Sequence, residues 1–138
     1  GDYVVPIGKS VVQRPGRDVT IVTYSKMLEV SMKAAEKLSQ EGIEAEIVDL
    51  RTLRPLDMEP VIESFKKTNR AVVVEEGWPS YGVGAEISSR IYEQAFDYVD
   101  APVKRVAQKE VPLPYNRTLE QMAIPNAGDI IAAVKEVL

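Results

Sequence analysis

The sequence predicts an α/β fold, namely a three-layer α/β/α sandwich built on a mostly parallel sheet. Short runs of β-branched residues alternate along the chain with longer segments of helical periodicity. This is the order that crossover helices between parallel strands require. Ala71 to Val74 form an entirely apolar run, as expected of a strand buried on both faces. The 138 residues suffice for one such domain and leave little room for a second core.

The chain is predicted to begin with an extended lead-in and a turn. Residues 1–12 show no helical period and are predicted to link the chain to a preceding domain, whereas residues 13–138 form the domain itself. Arg14 to Arg17 is a turn signal, because Pro15 presets φ at the second position and Gly16 can supply the positive φ of a type II turn. The first strand is expected to follow this turn.

That strand and the first helix have clear signals. Val19 to Tyr24 is rich in β-branched residues and is predicted to be a strand. Ser25 can cap the next helix, in which apolar residues recur at helical spacing from Met27 to Leu38. Gly42 is predicted to end this helix, and Ala45 to Leu50 is predicted to be the second strand.

The alternation of strands and helices continues to the end of the chain. Asp57 is predicted to cap a second helix that buries Val61, Ile62 and Phe65, and Ala71 to Val74 is the third strand. Val103 to Ala107 is predicted to be a further strand, and the prolines between Val111 and Tyr115 indicate an irregular loop. Two more helices are predicted from their apolar positions: Ala85, Ser88, Ile91 and Ala95 in one, and Ile130, Ile131, Val134, Val137 and Leu138 in the other.

Composition removes several classes of site. The chain has no cysteine and no histidine, so disulfides, thiolate nucleophiles, the commonest metal ligand and the usual general base are missing. A formal net charge of −4 disfavours nucleic-acid binding, because phosphate neutralisation needs a basic face. No stretch approaches the ~20 apolar residues of a membrane span. Lysine, tyrosine, serine and carboxylate side chains remain available for chemistry, but the composition favours a binding or assembly domain over autonomous catalysis. We assign no catalytic, cofactor-binding or metal-binding residue.

A glycine-rich loop before the third helix has two interpretations. Gly77 to Glu86 follows a strand and opens a helix, where glycines can let a phosphate approach backbone N–H groups. Gly82-Val83-Gly84 lacks the third glycine of the dinucleotide fingerprint, however, and Glu86 brings negative charge into the first turn. The alternative is that the glycines allow tight strand–helix packing, with Trp78 and Tyr81 available for a subunit interface.

Charged residues near the strand ends also leave alternatives open. Ligands gather at the carboxyl end of a parallel sheet, where four residues can line one crevice: Tyr24, Asp49, Glu75 and Glu76. Adjacent carboxylates in a strand point to opposite faces, however, so one capping contact and one solvated charge are the alternative. Arg51 and Arg54 can bind an anion, whereas Lys66 and Lys67 suit the C-terminus of a helix.

A series of segments covers nearly the whole chain in a recognisable order: Val5 to Lys9, Asp18 to Ser25, Glu46 to Asp57, Lys67 to Arg70, Val74 to Pro79, Gly82 to Ile87, Asp100 to Pro102 and Val111 to Tyr115. In this order they resemble the C-terminal domain of pyruvate dehydrogenase beta subunits. These subunits belong to the transketolase-like, thiamine-diphosphate-dependent 2-oxo acid dehydrogenase family. The specificity of the resemblance lies in the ordered series.

The resemblance implies a transketolase C-terminal-like fold and membership of an alpha2–beta2 oxidoreductase. That enzyme decarboxylates pyruvate and reductively acetylates lipoyl groups, which connects glycolysis to acetyl-CoA. Thiamine diphosphate and magnesium then belong to the full enzyme, between the alpha subunit and the N-terminal catalytic domain of the beta subunit, and this domain alone binds neither. Residues 1–12 would join that catalytic domain. The compartment is the cytoplasm for a bacterial source and the mitochondrial matrix for a eukaryotic one.

The resemblance also implies two protein contacts. Such a domain packs against the partner beta subunit, and it docks the peripheral subunit-binding domain of dihydrolipoyl acetyltransferase. Asp100 and the terminal carboxylate of Leu138 resemble the acidic groups that meet basic side chains of this partner. Asp100 can instead simply end a loop before Pro102, and family members can run a few residues beyond Leu138.

Three other functions fit parts of the pattern. Branched-chain 2-oxo acid dehydrogenase and deoxyxylulose phosphate synthase share the fold, but the Trp78-Pro79 loop and the Val111 to Tyr115 run favour the pyruvate enzyme. A free-standing, flavodoxin-like module that binds an anion through the Gly77 to Gly84 loop is an alternative of another class. The extended lead-in and the match along the whole chain disfavour it.

Overall fold

The computed structural model describes residues 8–53, 55–75, 82–107, 109–110 and 122–138. The strands are β1 (Val11–Arg14), β2 (Val19–Thr23), β3 (Ala45–Asp49), β4 (Ala71–Val74), β5 (Lys104–Val106), β6 (Lys109–Glu110) and β7 (Met122–Ala123). The helices are α1 (Met27–Gln40), α2 (Glu59–Thr68), α3 (Val83–Ala95) and α4 (Ala127–Val137), with a 3₁₀ turn at Phe96–Tyr98. Strands and helices therefore alternate as the sequence predicts.

The main sheet has five strands in the order β1-β3-β2-β4-β5. Strands β2, β3, β4 and β5 run parallel to one another, whereas β1 pairs antiparallel with β3. This arrangement confirms the predicted α/β fold with its mostly parallel sheet. Strand β1 begins at Val11, inside the span predicted as a lead-in, and its first residue lies opposite Asp49. Strands β6 and β7 form a separate antiparallel pair.

The core consists of two layers of buried side chains, one on each face of the sheet. Because successive strand residues point to opposite faces, each central strand contributes to both layers. One layer joins the sheet to α1 and α4, and its strand residues include Ile21, Ile47 and Val72. The other joins it to α2 and α3, and its strand residues include Val22, Val48 and Val73. None of the described helices is long and apolar enough to cross a membrane.

One of the two predicted helix caps is wrong. Helix α1 starts after Lys26, and Ser25 lies one residue earlier in a left-handed conformation with φ of 57°. The backbone oxygen of Ser25 accepts a 3.2 Å hydrogen bond from Leu28 N. The predicted end of α1 is confirmed, with Gly42 at φ of 82° just beyond the helix.

Helix α2 starts after Met58, and Asp57 lies one residue earlier. The predicted contact is present, because Asp57 Oδ1 accepts a 3.4 Å hydrogen bond from Glu59 N, the first residue of the helix. Its other oxygen, Oδ2, accepts a 2.9 Å hydrogen bond from Ser10 N, so Asp57 also joins the helix start to the residue before β1.

The predicted inner face of α3 is partly wrong. Ile91 and Ala95 are buried as expected, but Gly84 and Ile87 occupy the remaining inward positions, and Ala85 is exposed. The reason is the close approach of the helix to the end of β4. A Cβ atom on Gly84 would lie 2.1 Å from Oε2 of Glu75, so the turn that carries Gly84 must face the sheet.

The glycine in the first turn has a role other than the predicted one. Gly16 does not have a positive φ, so a type II turn is the wrong explanation for it. A Cβ atom at this position would lie 2.3 Å from the backbone carbonyl carbon of Ala45 and 2.5 Å from Glu46 N. Gly16 is therefore required because the turn passes directly against β3.

A buried carboxylate connects this turn to α2. The Glu46 side chain is 5% exposed. Its Oε1 accepts hydrogen bonds from Lys67 Nζ at 2.6 Å and from Gly16 N at 3.0 Å. Burial acts to raise the pKa of Glu46, but the hydrogen bonds from Lys67, Gly16 and Ser64 outweigh burial and hold the pKa below its usual value of 4.5. The ionised carboxylate is thus the form that the fold prefers.

We expect Glu46→Gln to lower the free energy of unfolding at pH 7 by about 1–2 kcal/mol, because hydrogen bonds to a charged acceptor are lost. A pKa lowered by folding gives stability that is full above the unfolded value and is lost as the pH falls through the folded value. In urea unfolding, the free energy of unfolding of wild type should therefore decrease below about pH 4.5. Glu46→Gln should show a smaller decrease over the same pH range.

The matched control is Glu63→Gln, which removes an exposed carboxylate from α2. This variant should unfold like wild type at pH 7, since surface substitutions usually change stability by less than about 0.5 kcal/mol. Equal pH dependence in wild type and Glu46→Gln would contradict the stabilising role of the ionised Glu46.

Candidate docking surface

Two turns are hydrogen-bonded together at the amino end of the parallel strands. The turn after α2 contains Asn69, which adopts a left-handed conformation with φ of 66° and donates its backbone N–H to Phe65 O. Asparagine is one of the few residues that accept this conformation readily. Asn69 Nδ2 donates to Tyr98 O at 2.8 Å, and Asp100 N donates to Asn69 O at 3.1 Å. These bonds fix Asp100 beside the start of β4.

Arg70 links Asp100 to the last turn of α4. Arg70 Nη1 lies 3.8 Å from Asp100 Oδ2. Arg70 Nε donates a 2.7 Å hydrogen bond to Val137 O. Leu138 follows this carbonyl directly and is 48% exposed. The structure therefore brings Asp100 and Leu138, the two predicted partner-binding residues, to one surface through a third side chain. We call Asn69, Arg70, Tyr98, Asp100 and Leu138 the docking surface.

The Asp100 carboxylate is accessible and only weakly paired within the chain. Its side chain is 56% exposed, and the Arg70 side chain is 32% exposed. An exposed ion pair of this kind contributes about 0–1 kcal/mol, so a cation from another molecule can take its place. The C-terminal end of α4 adds negative partial charge from its last carbonyl groups. The surface therefore suits a positively charged partner.

Aromatic side chains border this acidic region. Tyr98 is 41% exposed, and Lys66 Nζ lies 5.4 Å from the centroid of its ring. Phe96, at the start of the same 3₁₀ turn, is 72% exposed. Aromatic rings are favoured at the centres of protein interfaces, since they bury a large area at low entropic cost.

The predicted role of Lys66 and Lys67 at a helix C-terminus is compatible with their position in the last turn of α2.

At the carboxyl end of the sheet, the two described carboxylates of the predicted crevice are paired within the chain. Asp49 ends β3 and Glu75 follows β4, and strand β2 lies between them. Each carboxylate has an arginine partner: Asp49 Oδ2 lies 3.3 Å from Arg51 Nε, and Glu75 Oε2 lies 3.4 Å from Arg105 Nη2. Arg51, predicted as an anion ligand, is thus already paired. Within the described ranges, no group of three or more acidic side chains is placed to hold a metal ion.

Glu75 makes the capping contact that was one of the two interpretations. Its side chain is 1% exposed, and Oε1 accepts a 3.2 Å hydrogen bond from Gly84 N in the first turn of α3. This carboxylate occupies the helix N-terminus that a phosphate would need. The geometry therefore favours tight packing of Gly84 against Glu75 over an anion site.

Several predicted residues lie outside the described part of the chain. They include the predicted interface residues Trp78 and Tyr81, and also Glu76, Arg54 and the run from Val111 to Tyr115. Asn69 and Arg70 were not predicted as site residues, although both lie in the Lys67 to Arg70 segment that contributes to the resemblance. The polar sequence that follows the lysines of α2 contained a signal for Asn69, since asparagine is a common left-handed residue at a helix end. Arg70 had no such signal, because its partners are distant in the sequence.

Comparison with known proteins now identifies the domain. The family model for the transketolase C-terminal domain matches residues 8–130. The chain belongs to this family. The transketolase C-terminal domain described here is 50% identical over 136 residues to the pyruvate dehydrogenase E1 component subunit beta of Rhizobium meliloti, covering 99% of the chain and 30% of the relative. It is 51% identical to the mitochondrial beta subunit of Dictyostelium discoideum, covering 99% and 38%. The chain thus spans only 30% and 38% of the lengths of these two relatives.

Solved structures agree with this assignment. The transketolase C-terminal domain superposes on a split-gene transketolase, in its inactive beta4 tetramer, with a TM-score of 0.78 and 31% identity. That match covers 99% of this chain and 43% of the transketolase chain. A 2-oxoglutarate:ferredoxin oxidoreductase from Magnetococcus marinus matches at 13% identity with a TM-score of 0.55, covering 93% and 19%, and shows the fold alone. The resemblance noted in the sequence is confirmed, and a flavodoxin-like module is not supported.

Proposed function

We propose that this chain is the C-terminal assembly and docking domain of a pyruvate dehydrogenase beta subunit. The observation that carries the proposal is about 50% identity to such subunits along 99% of the chain. In this role the domain belongs to an alpha2–beta2 enzyme that decarboxylates pyruvate and reductively acetylates lipoyl groups. The relatives' names favour the pyruvate enzyme over the branched-chain enzyme and deoxyxylulose phosphate synthase.

The domain contributes no catalytic group in this proposal. Thiamine diphosphate and magnesium would be held by the alpha subunit and by the beta subunit's N-terminal domain. The carboxylates at the carboxyl end of this sheet, Asp49 and Glu75, are occupied by arginine partners of the same chain. They therefore support packing within the chain. The two interface residues Trp78 and Tyr81 are proposed for contact with the partner beta subunit.

The docking partner we propose is the peripheral subunit-binding domain of dihydrolipoyl acetyltransferase. Asp100 and the last turn of α4 offer a carboxylate and a helix C-terminus side by side, joined by Arg70. Both attract basic side chains. The eukaryotic relatives are named as mitochondrial, so the proposed compartment is the mitochondrial matrix for a eukaryotic source and the cytoplasm for a bacterial one.

Calorimetric titration with a purified peripheral subunit-binding domain tests the proposal. We expect wild type to bind more weakly as salt rises, and Asp100→Asn to bind about tenfold more weakly than wild type at low salt, because one charge pair is lost. The salt dependence of the variant should also be smaller.

The matched control is Glu63→Gln, which removes the same charge from an exposed position in α2. Its affinity should remain within about twofold of wild type, since a charge outside the pair affects binding only weakly. If folded wild type fails to bind, the docking role is wrong. Equal affinities for wild type and Asp100→Asn would remove Asp100 from the site.

A further inference from the structure

Arg70 is a cation placed at the centre of a surface proposed to bind cations. Its net electrostatic effect on a basic partner is repulsive, and its Nη1 atom already lies 3.8 Å from the Asp100 carboxylate. On electrostatics alone, Arg70 would compete with the partner and weaken docking. The contacts of Arg70 indicate a different role.

The stronger of its two contacts is the one to α4. The hydrogen bond from Arg70 Nε to Val137 O is 2.7 Å long and charge-assisted, and it connects residues 67 positions apart in sequence. The last four carbonyl groups of a helix have no partner within the helix, and they carry the negative end of its dipole. Arg70 satisfies one of these groups and holds the end of α4 against the start of β4.

From this geometry we infer that Arg70 is a positioning residue of the docking surface. It holds the last turn of α4 beside Asp100, so that one partner can contact both. The inference rests on the proposed docking function. The docking surface then has two parts that attract a basic partner, the Asp100 carboxylate and the end of α4. Arg70 fixes the distance between them. A partner that fits has a basic side chain for Asp100 and hydrogen-bond donors for the end of α4.

The variant Arg70→Met distinguishes electrostatic competition from positioning, because the two roles change the binding affinity in opposite directions. It keeps an unbranched stem that reaches about as far as Nε but removes the charge and the donors. Electrostatic competition predicts tighter binding of the peripheral subunit-binding domain. Positioning predicts binding about fivefold weaker, because the hydrogen bond that orders the end of α4 is lost. Arg70→Lys retains a charge and a donor and is expected to lie between Arg70→Met and wild type.

The matched control is Arg90→Met. Arg90 pairs with Glu86 at 2.8 Å on the exposed side of α3, so this variant loses the same side chain outside the docking surface. We expect its affinity to stay within about twofold of wild type.

Amide hydrogen exchange, measured without any partner, supplies a second and independent measurement. Exchange in the last turn of α4 should accelerate in Arg70→Met and stay unchanged in Arg90→Met, since local opening is governed by local contacts.

The outcomes distinguish this inference from the proposed function. Arg70→Met that binds as tightly as wild type, or more tightly, while Asp100→Asn binds weakly, would overturn the inference and leave the docking function standing. Weaker binding with unchanged exchange in α4 would also overturn positioning. If folded wild type does not bind, the docking function fails first, and the role of Arg70 in docking fails with it. Weaker binding together with faster exchange supports the inference.

Discussion

Phe65→Ala is expected to lower the free energy of unfolding by about 3–5 kcal/mol, as large-to-small substitutions of buried aromatic residues do. Phe65 is 0% exposed, and it lies in the layer between the sheet and helices α2 and α3. The loss combines the transfer free energy of the ring with a cavity that the close-packed neighbours cannot fill. Because small domains have only about 5–15 kcal/mol of stability in total, the change removes a large fraction.

Equilibrium urea unfolding followed by circular dichroism measures this effect, with the slope of the transition expected to stay constant. The chain offers a close control, because Phe96 is its other phenylalanine and is 72% exposed. Phe96→Ala makes the same chemical change at the surface and should alter stability by less than about 0.5 kcal/mol. Similar losses for the two variants would contradict the placement of Phe65 in the core.

Gly16→Ala is expected to lower the free energy of unfolding by about 3 kcal/mol, at the upper end of ordinary overpacking. The added Cβ atom would lie 2.3 Å from the backbone of Ala45, where no rotamer change can relieve the contact. The turn must then move away from β3. That movement would weaken the hydrogen bonds that Arg17 N and Asp18 N donate to Glu44 O.

The control for this prediction is Gly42→Ala, which introduces an unfavourable backbone conformation without a steric contact. No neighbour lies within 4 Å of a Cβ atom on Gly42, but its φ is 82°. Alanine there should cost about 1 kcal/mol through backbone conformation alone. Thermal and urea unfolding of both variants should therefore rank Gly16→Ala as the more damaging. The reverse order would show that the turn yields easily and that Gly16 is not fixed by its contact with β3.

The regular part of the fold was predictable from local sequence. The β-branched run that starts at Val19 and the apolar run from Ala71 to Val74 form strands as expected, because both are buried on two faces. Helix α1 follows its apolar period and ends at Gly42. In these segments the local conformational preference and the burial of the side chains favour the same structure, so the apolar pattern alone predicts it.

The elements that sequence reasoning missed depend on distant contacts. Strand β1 is short, and its pairing with β3 crosses more than thirty residues, which no local period indicates. Gly16 carries a turn signal, yet the backbone of Ala45 is what requires it. Asp57 contacts the start of α2 as predicted, but the bond that its side chain also accepts from Ser10 N spans 47 residues and has no local signal. In each case a tertiary contact supplied the physical cause.

The docking surface also has a part that the sequence predicted and a part that it did not. Asp100 and Leu138 were predicted by resemblance to a family, whose ordered motifs placed them at matching positions. Their connection through Arg70 was not predictable, because Arg70 contacts Val137 only after the sheet and α4 have assembled. Sequence can therefore nominate acidic residues for a partner, but their spacing on the surface is a property of the folded chain.

The antiparallel strand β1 places the entry of the chain and the docking surface at opposite ends of the sheet. The chain reaches β1 at the carboxyl end of the sheet, where Val11 lies opposite Asp49 and Ser10 is bonded to Asp57. The docking surface lies at the other end, beside the start of β4. At about 3.3 Å per residue, a five-residue strand separates the two ends by roughly 16 Å. A fluorophore placed on an exposed residue near the start of β1, such as Lys9, would therefore leave the opposite end clear for a binding assay.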